Sequence, residues 1–431
     1  MIAIVATLLP GCVNTKYKTN APVQSHVVAD EPRAASIGRD IIAQGGRAGD
    51  AAAAMALAMA ATLPSRVGLA GGGVCVVFNA AKKESRTLDF LPRPAGANGA
   101  AVPAFLRGIY ALQAAAGVMR WEQTVVPAEQ LAGGGAIVSR ALAQDLAANA
   151  ARLSADPEAR RVFLPAGVPL AEGAAIRQPD LAASLSQVRR GGVAAMHGGP
   201  LGASVGPALG IDQATLRGYQ PRWGQTASVP LGIVSMQFAQ LPERESGAAL
   251  VAAWNAAADL PPAQRAARVA QALGATGSGT NAPGAGLAVI DPDDNGVACT
   301  FTMGAPFGTG RMVPDTGMLA AQGVTRADFG APGLLANAIV GRTQFAGTGT
   351  ASGNDGPSAG PAALLTAALP AALEKQPGDA IQAARPVSTP GRASFVACQT
   401  SIESGWKECQ IAADRNAHAL GFLVETPRES D

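Results

Sequence analysis

A chain of 431 residues can hold one large domain or two to three small ones, and it can bury a full core. A net charge of +2 at pH 7 argues against nucleic acid or an acidic membrane surface as partner, and no stretch reaches the roughly 18 uninterrupted apolar residues of a spanning helix. Hydrophobic residues make up 48% and aromatics only 4%, so the core falls to Ala, Val, Leu and Ile, while 52 Gly and 31 Pro predict many loops and close backbone approaches.

The chain opens with an apolar run, residues 2–9, that ends in Leu9-Pro10-Gly11-Cys12. This is similar to the end of a bacterial lipoprotein signal, in which the cysteine is lipidated and becomes the mature N-terminus. Pro10 and the lack of basic residues ahead of the run depart from that pattern. An ordinary secretory signal, or a buried strand with an incidental cysteine, are the alternatives. With a signal at 1–12 and lipidation at Cys12, residues 13–25 become a polar tether. The protein is then expected in the periplasm or cell envelope, held to the membrane by its lipid alone.

Residues 33–43 read as a helix stopped by Gly45-Gly46, and Asp50 as the N-cap of an Ala-rich helix to about Thr62. A glycine-rich turn at 68–73 leads to strands at 74–79 and 85–90, which suggests helices packed on an antiparallel sheet. From about 103 to 200 the pattern is helical. A strand at 231–236 and helices at 246–259 and 262–273 follow. Residues 276–286 are rich in Gly, Ser, Thr, Asn and Pro and read as a linker. Val289-Ile290 and Val297 to Thr302 flank an Asp/Asn/Gly turn and read as a strand hairpin, followed by the glycine-rich Phe307-Gly308-Thr309-Gly310. Residues 345–360 read as another Gly/Ser-rich loop before a helix at about 361–374.

Cys398 and Cys409 flank a polar segment that can close a short hairpin, so a disulfide there fits an oxidising compartment. Cys75 and Cys299 lie in apolar runs and read as small core residues. The three histidines, His26, His197 and His418, have no metal-site spacing, and no cofactor is expected.

Several blocks together carry a family resemblance: Gly45-Gly46-Arg47-Ala48-Gly49-Asp50-Ala51-Ala52, residues 68–78 with Leu88-Asp89-Phe90, Gln178-Pro179-Asp180-Leu181, residues 242–250, the 307–310 loop, and Thr316-Gly317-Met318-Leu319. In this order they resemble the gamma-glutamyltransferases (gamma-glutamyltranspeptidases, glutathione hydrolases) of the N-terminal nucleophile hydrolase superfamily. The resemblance implies an α+β fold, a four-layer αββα sandwich. Residues 26–275 correspond to the family's large subunit, 276–286 to a linker at its usual processing site and 287–431 to its small subunit, intertwined in one domain. It also implies a chemistry. A precursor cuts itself before a threonine, whose freed amine helps its hydroxyl attack a gamma-glutamyl amide, while backbone N–H groups hold the oxyanion.

Counted back from Phe307-Gly308-Thr309-Gly310 without gaps, the family's Thr-Thr-His falls on Gly284-Ala285-Gly286, so the nucleophile position is Gly284. Thr280 and Ser278 are the candidate hydroxyls upstream, and Thr280 lies several ångströms too early at about 3.3 Å per extended residue. Arg93 stands two residues late for the family's glutamate-binding arginine. Asp328 alone can keep the role of binding the substrate amine. The family's serine pair has no match around 333–341, and its oxyanion loop corresponds to 351–356, with Ser352 and Gly353 but no adjacent glycine pair. The departures together point to a degenerate site. Three readings follow: a homologue with impaired catalysis and no self-cleavage that recognises a gamma-glutamyl small molecule, an active enzyme using Thr280, or a non-enzymatic envelope protein that binds or assembles with partners the sequence does not identify. The order of helices and strands disfavours a periplasmic small-molecule receptor, and no Ser-His-acid set is recognisable.

Overall fold

The computed structural model describes residues 23–241, 246–275, 282–325, 329–352, 355–356, 358–385, 391–400 and 407–426. Its first sheet has seven strands in the spatial order Leu420–Thr426, Val23–Ala29, Gly284–Ile290, Gly296–Thr302, Gly72–Asn79, Glu84–Phe90 and Arg222–Gly224. The second has six: Lys407–Ala412, Arg392–Thr400, Arg342–Thr350, Gly330–Asn337, Val234–Ala239 and Thr226–Leu231. Neighbouring strands in both run antiparallel.

Period-2 patterning divides the side chains into three apolar layers. Val74, Val76, Phe78, Ala288 and Ile290 meet Leu334, Ala346 and Val396 between the sheets. Their neighbours Val77, Leu287, Val289 and Val297 point outward to helices Pro32–Ala43, Ala48–Thr62 and Phe105–Ala116. Beyond the second sheet, Ser246–Ala258, Pro262–Ala272 and Ala359–Leu373 cover Phe238, Phe345 and Phe395. Helix, sheet, sheet, helix is the four-layer αββα arrangement.

Helix Ala48–Thr62 explains how a core with few aromatics closes. Every one of its residues is buried, so it has no polar face to show. Small side chains let its neighbours come close: a Cβ on Gly49 would lie 2.4 Å from the carbonyl carbon of Ala116. The helix begins before Asp50, with Arg47 as N-cap. Asp50 is instead a buried anchor. Its carboxylate accepts from the backbone N–H of Arg47, Val118 and Met119 and from Gln113 Nε2, which ties the helix start to the 117–119 turn.

Other expectations shift for equally local reasons. The strand expected at 231–236 is a hairpin, Thr226–Leu231 and Val234–Ala239, turning at Gly232 with φ 68°. Residues 345–350, the start of an expected loop, belong to the strand Arg342–Thr350 because Gly347 and Gly349 serve packing: a Cβ on Gly349 would meet the Gly360 carbonyl oxygen at 2.1 Å. Pairing with the last strand starts at Val23, inside the stretch assigned to a tether. The 276–286 linker gives up its end to the strand that opens at Gly284. Cys75 and Cys299, read as separate core thiols, face each other across paired strands and form a disulfide. Cys398 and Cys409 form a second one across the strands Arg392–Thr400 and Lys407–Ala412.

Candidate active site

The hairpin Gly284–Ile290 and Gly296–Thr302 is held at its turn by Asp291, which accepts from the N–H groups of Asp293 and Asn295 and from Asn295 Nδ2. The same carboxylate accepts from Ala48 N at 3.0 Å, so the turn is fastened to the start of the buried helix. Burial pushes the Asp291 carboxyl up, and the bonds to Asn295 and Ala48 oppose that shift.

Gly284 occupies the opposite end, directly across from Thr302, which in turn pairs with Gly72. Its N–H donates to Ala351 O at 2.9 Å, and Ala351 N donates to Phe329 O at 3.1 Å. A Cβ added at Gly284 would lie 2.6 Å from Phe329 O, and one at Gly286 would lie 2.3 Å from Thr348 Oγ1. Thr302 Oγ1 donates to Pro283 O at 2.7 Å and accepts from Gly304 N. The side-chain direction of position 284 is therefore filled by backbone from the second sheet.

Two residues on, Gly286 N donates to Asp30 Oδ2, which also accepts from Thr350 Oγ1, while Ser394 Oγ donates to Asp30 Oδ1 at 2.7 Å. Asp30 follows a strand of the first sheet, and Thr350 and Ser394 belong to the second, so one buried carboxyl joins both sheets beside Gly284. Burial pushes this carboxyl up, against the pull of Ser394, Thr350, Gly286 and the charge of Arg392. Arg392 pairs in register with Thr350. Burial, and then the charge of Arg66, lower its pKa. Arg66 is engaged by Asp145, with Nε at 2.9 Å, and Ser65 Oγ donates to the same carboxylate.

Of the residues expected to act, the structure brings Ser352 to Gly284: it follows Ala351, and its N–H donates to Asp355 Oδ2 at 2.6 Å. Arg93 lies at the same end of the sheet but farther away. Gly73 pairs with Phe90, so Leu91 stands three strand spacings from Gly284, about 14 Å, and Arg93 is two residues beyond. Its guanidinium grips the buried Asp89 carboxylate through Nη1 at 3.3 Å and Nη2 at 2.7 Å, and Arg222 reaches the same group at 3.3 Å. Thr280, Ser278, Asp328, Gly353 and Cys12 lie outside the described residues. Among the described residues, no group of three or more His, Cys, Asp or Glu could hold a metal. His197 is a buried core histidine: its Nδ1 is 3.0 Å from Leu216 O, and burial lowers its pKa to about 4.

The Asp30 network and Arg392 escape sequence reasoning. Asp30 does follow the run Val27-Val28-Ala29, an acid at the end of an apolar strand, but nothing nearby names partners more than 250 residues away.

The family model for gamma-glutamyltranspeptidase matches residues 34–276, more than half of the chain. The chain belongs to the gamma-glutamyltranspeptidase family. Among curated relatives, glutathione hydrolase 7 of Bos taurus is 32% identical over 191 residues, 41% of this chain and 29% of the relative. The glutathione hydrolase proenzyme of Bacillus subtilis (strain 168) is 29% identical over 231 residues, 46% of this chain and 39% of the relative. The chain thus spans less than two fifths of the length of these two relatives. A solved cephalosporin acylase from Bacillus halodurans superposes with a TM-score of 0.71 at 17% identity, covering 94% of this chain and 98% of the other. That likeness shows a shared fold over nearly the full chain.

Proposed function

We propose that the chain is a gamma-glutamyltransferase-like protein that keeps the family scaffold, recognises a gamma-glutamyl small molecule, and neither cuts itself nor performs the family's usual hydrolysis or transfer efficiently. The observation that carries this reading is at position 284. A glycine opens the strand, and the place of a side chain there is taken by Phe329 O at 2.6 Å. Neither hydroxyl nor room for one stands where the family threonine is expected. The Bacillus subtilis relative is by name a proenzyme; this chain would be one that stays whole. Ser352, Gly353, Arg93 and Asp328 are the residues proposed to contact the ligand, with Arg93 limited by its hold on Asp89. Two disulfides support an oxidising compartment, in keeping with an envelope protein anchored through Cys12. Among the described residues no helix is long and apolar enough to cross a membrane.

A denaturing gel with N-terminal sequencing tests the reading. One species near 43.0 kDa supports it. Two pieces of roughly two thirds and one third of the chain, with a new N-terminus at Thr280, overturn it in favour of an active enzyme using that residue, the nearest hydroxyl-bearing residue ahead of the strand. A gamma-glutamyl hydrolysis assay on the parent and on Thr280→Ala separates the same two readings by activity.

A further inference from the structure

Four strand turns gather at the end of the sandwich away from Gly284: residues 80–83, 291–295, 338–341 and 232–233. Those of the two sheets are joined. Thr343 Oγ1 donates to Asp294 O at 2.7 Å, Lys83 Nζ donates to Ile339 O at 2.5 Å, and a Cβ on Gly341 would lie 2.5 Å from Ala80 O. This end carries aliphatic side chains that the core does not use. Ile339 is 62% exposed, Val340 53% and Ile233 47%. Val118, 68% exposed, borders a groove of about 440 Å³ that Ala80, Ala81 and Gly341 also line. Asn337 Oδ1 accepts from Ile339 N at 3.0 Å and Val340 N at 3.2 Å, so the turn holds these two side chains outward in a fixed conformation.

A single exposed aliphatic needs no explanation, but a group of them at one end marks an interaction surface. Charge names the partner. The acids here are matched: Asp293 by Arg47 at 3.1 Å, Asp294 by Arg342 at 3.8 Å and Glu84 by Arg86 at 4.0 Å. Lys82 and Lys83 are exposed and enter no ion pair among the described residues. The small net charge of the whole chain hides this local excess. Fixed aliphatics flanked by unpaired lysines suit the interface of an anionic bilayer, which takes up apolar side chains and attracts each lysine. A second copy of the chain fits less well, because a two-fold contact sets the same lysines against each other. Val23 lies at this end too, three residues before His26, which pairs with Ile290 beside the 291–295 turn. That is about 10 Å along the strand, so a lipid on Cys12 would join the chain nearest to this end.

We propose that this end of the sandwich rests on an anionic lipid surface. Ile339 and Val340 enter the interface, with Ile233 and Val118 beside them, and Lys82 and Lys83 meet the headgroups. The Gly284 end then faces away from the bilayer. The proposal rests on the envelope reading for access to such a surface, and on nothing proposed for the chemistry at Gly284.

Sedimentation of the whole protein with vesicles of phosphatidylglycerol and phosphatidylcholine in equal parts tests it, with phosphatidylcholine alone as the neutral control. Binding to the anionic vesicles is expected to be about tenfold or more tighter and to weaken as salt is raised. Lys82→Ala should weaken it about fivefold, and Ile339→Asp with Val340→Asp about tenfold or more, with the melting temperature unchanged. Cys12→Ala removes the proposed lipid site and should leave these differences in place. Brominated lipid should quench the added tryptophan of Ile339→Trp beyond the parent's signal, and not that of Leu420→Trp, whose residue pairs with Ala29 toward the Gly284 end. Equal binding to both vesicles, unaffected variants, equal quenching at 339 and 420, or binding wholly lost in Cys12→Ala would each overturn the proposal. Self-association without vesicles that Ile339→Asp abolishes would overturn it in favour of a second copy as the occupant.

Discussion

Replacing Gly284 with alanine asks whether position 284 has room for a side chain at all. The new Cβ would meet Phe329 O at 2.6 Å and the carbonyl carbon and ring Cδ2 of Phe329 at 3.3 Å each. Ordinary carbon contacts lie at about 3.5–4.0 Å, so the Phe329 backbone must retreat by close to an ångström. It is not free to do so. Phe329 O accepts from Ala351 N at 3.1 Å, and Ala351 O accepts from Gly284 N at 2.9 Å, so the retreat stretches a two-bond link between the sheets. Overpacking of this kind costs about 1–3 kcal/mol, offset by about 0.5–1 kcal/mol because alanine loses less backbone freedom than glycine. The net loss is about 0.5–2 kcal/mol, read as a lower urea midpoint with an unchanged slope. Gly284→Thr adds γ atoms to the same contact and should lose more, about 3 kcal/mol, with no new band on a denaturing gel. A Gly284→Ala protein as stable as the parent, or more so, would refute the reasoning and show that the strand start can admit a residue larger than glycine.

Three further outcomes follow from the same geometry. Asp30 has a folded-state pKa raised by burial above 3.8, so its contribution is complete below that value and is lost as pH rises through the raised pKa; the stability advantage of the parent over Asp30→Asn should therefore shrink with rising pH in chemical denaturation series. Arg93→Ala leaves buried Asp89 with Arg222 at 3.3 Å and should cost about 1–3 kcal/mol in urea titration; no loss would return Arg93 to a ligand-binding role. The Cys75–Cys299 bridge spans 224 residues and Cys398–Cys409 spans 11, so replacing the first pair with alanines should cost about 5 kcal/mol and the second about 3 kcal/mol on chain-entropy grounds, measured as separate shifts of the denaturation midpoint.

The fold was legible where local pattern and long-range packing agree. The hairpin around the 291–295 turn is marked by its apolar runs and turn residues and helix Pro32–Ala43 by its amphipathic spacing, and the ordered glycine motifs tied them to a family. Legibility failed where a residue's job belongs to a distant neighbour. Gly349 looks like a loop residue until helix Ala359–Leu373 is seen lying on it, and Gly347 until Phe345 and Phe395 are seen closing over it. Asp50 looks like a cap until Val118 and Met119 arrive from the turn that follows helix Phe105–Ala116. Cys75 and Cys299 show no pairing in sequence because the strands that join them are 224 residues apart. At the candidate site, the family resemblance sets Gly284 at the expected nucleophile position, while the close approach of Phe329 O to that glycine was not readable. Nor could composition suggest that Gly286, Thr350 and Ser394 converge on Asp30.

The placement of the first strand has a consequence for how the protein is made. Val23–Ala29 lies between Gly284–Ile290 and Leu420–Thr426, and Val23 pairs with Thr426. The sheet is therefore completed only when its edge strand Leu420–Thr426, the last one described, joins Val23–Ala29. Such long-range pairing folds slowly, and domains that need both ends of their chain cannot consolidate piece by piece during synthesis. Until that last strand arrives, the outer edge of Val23–Ala29 keeps its backbone N–H and C=O groups unpaired, an open edge during synthesis.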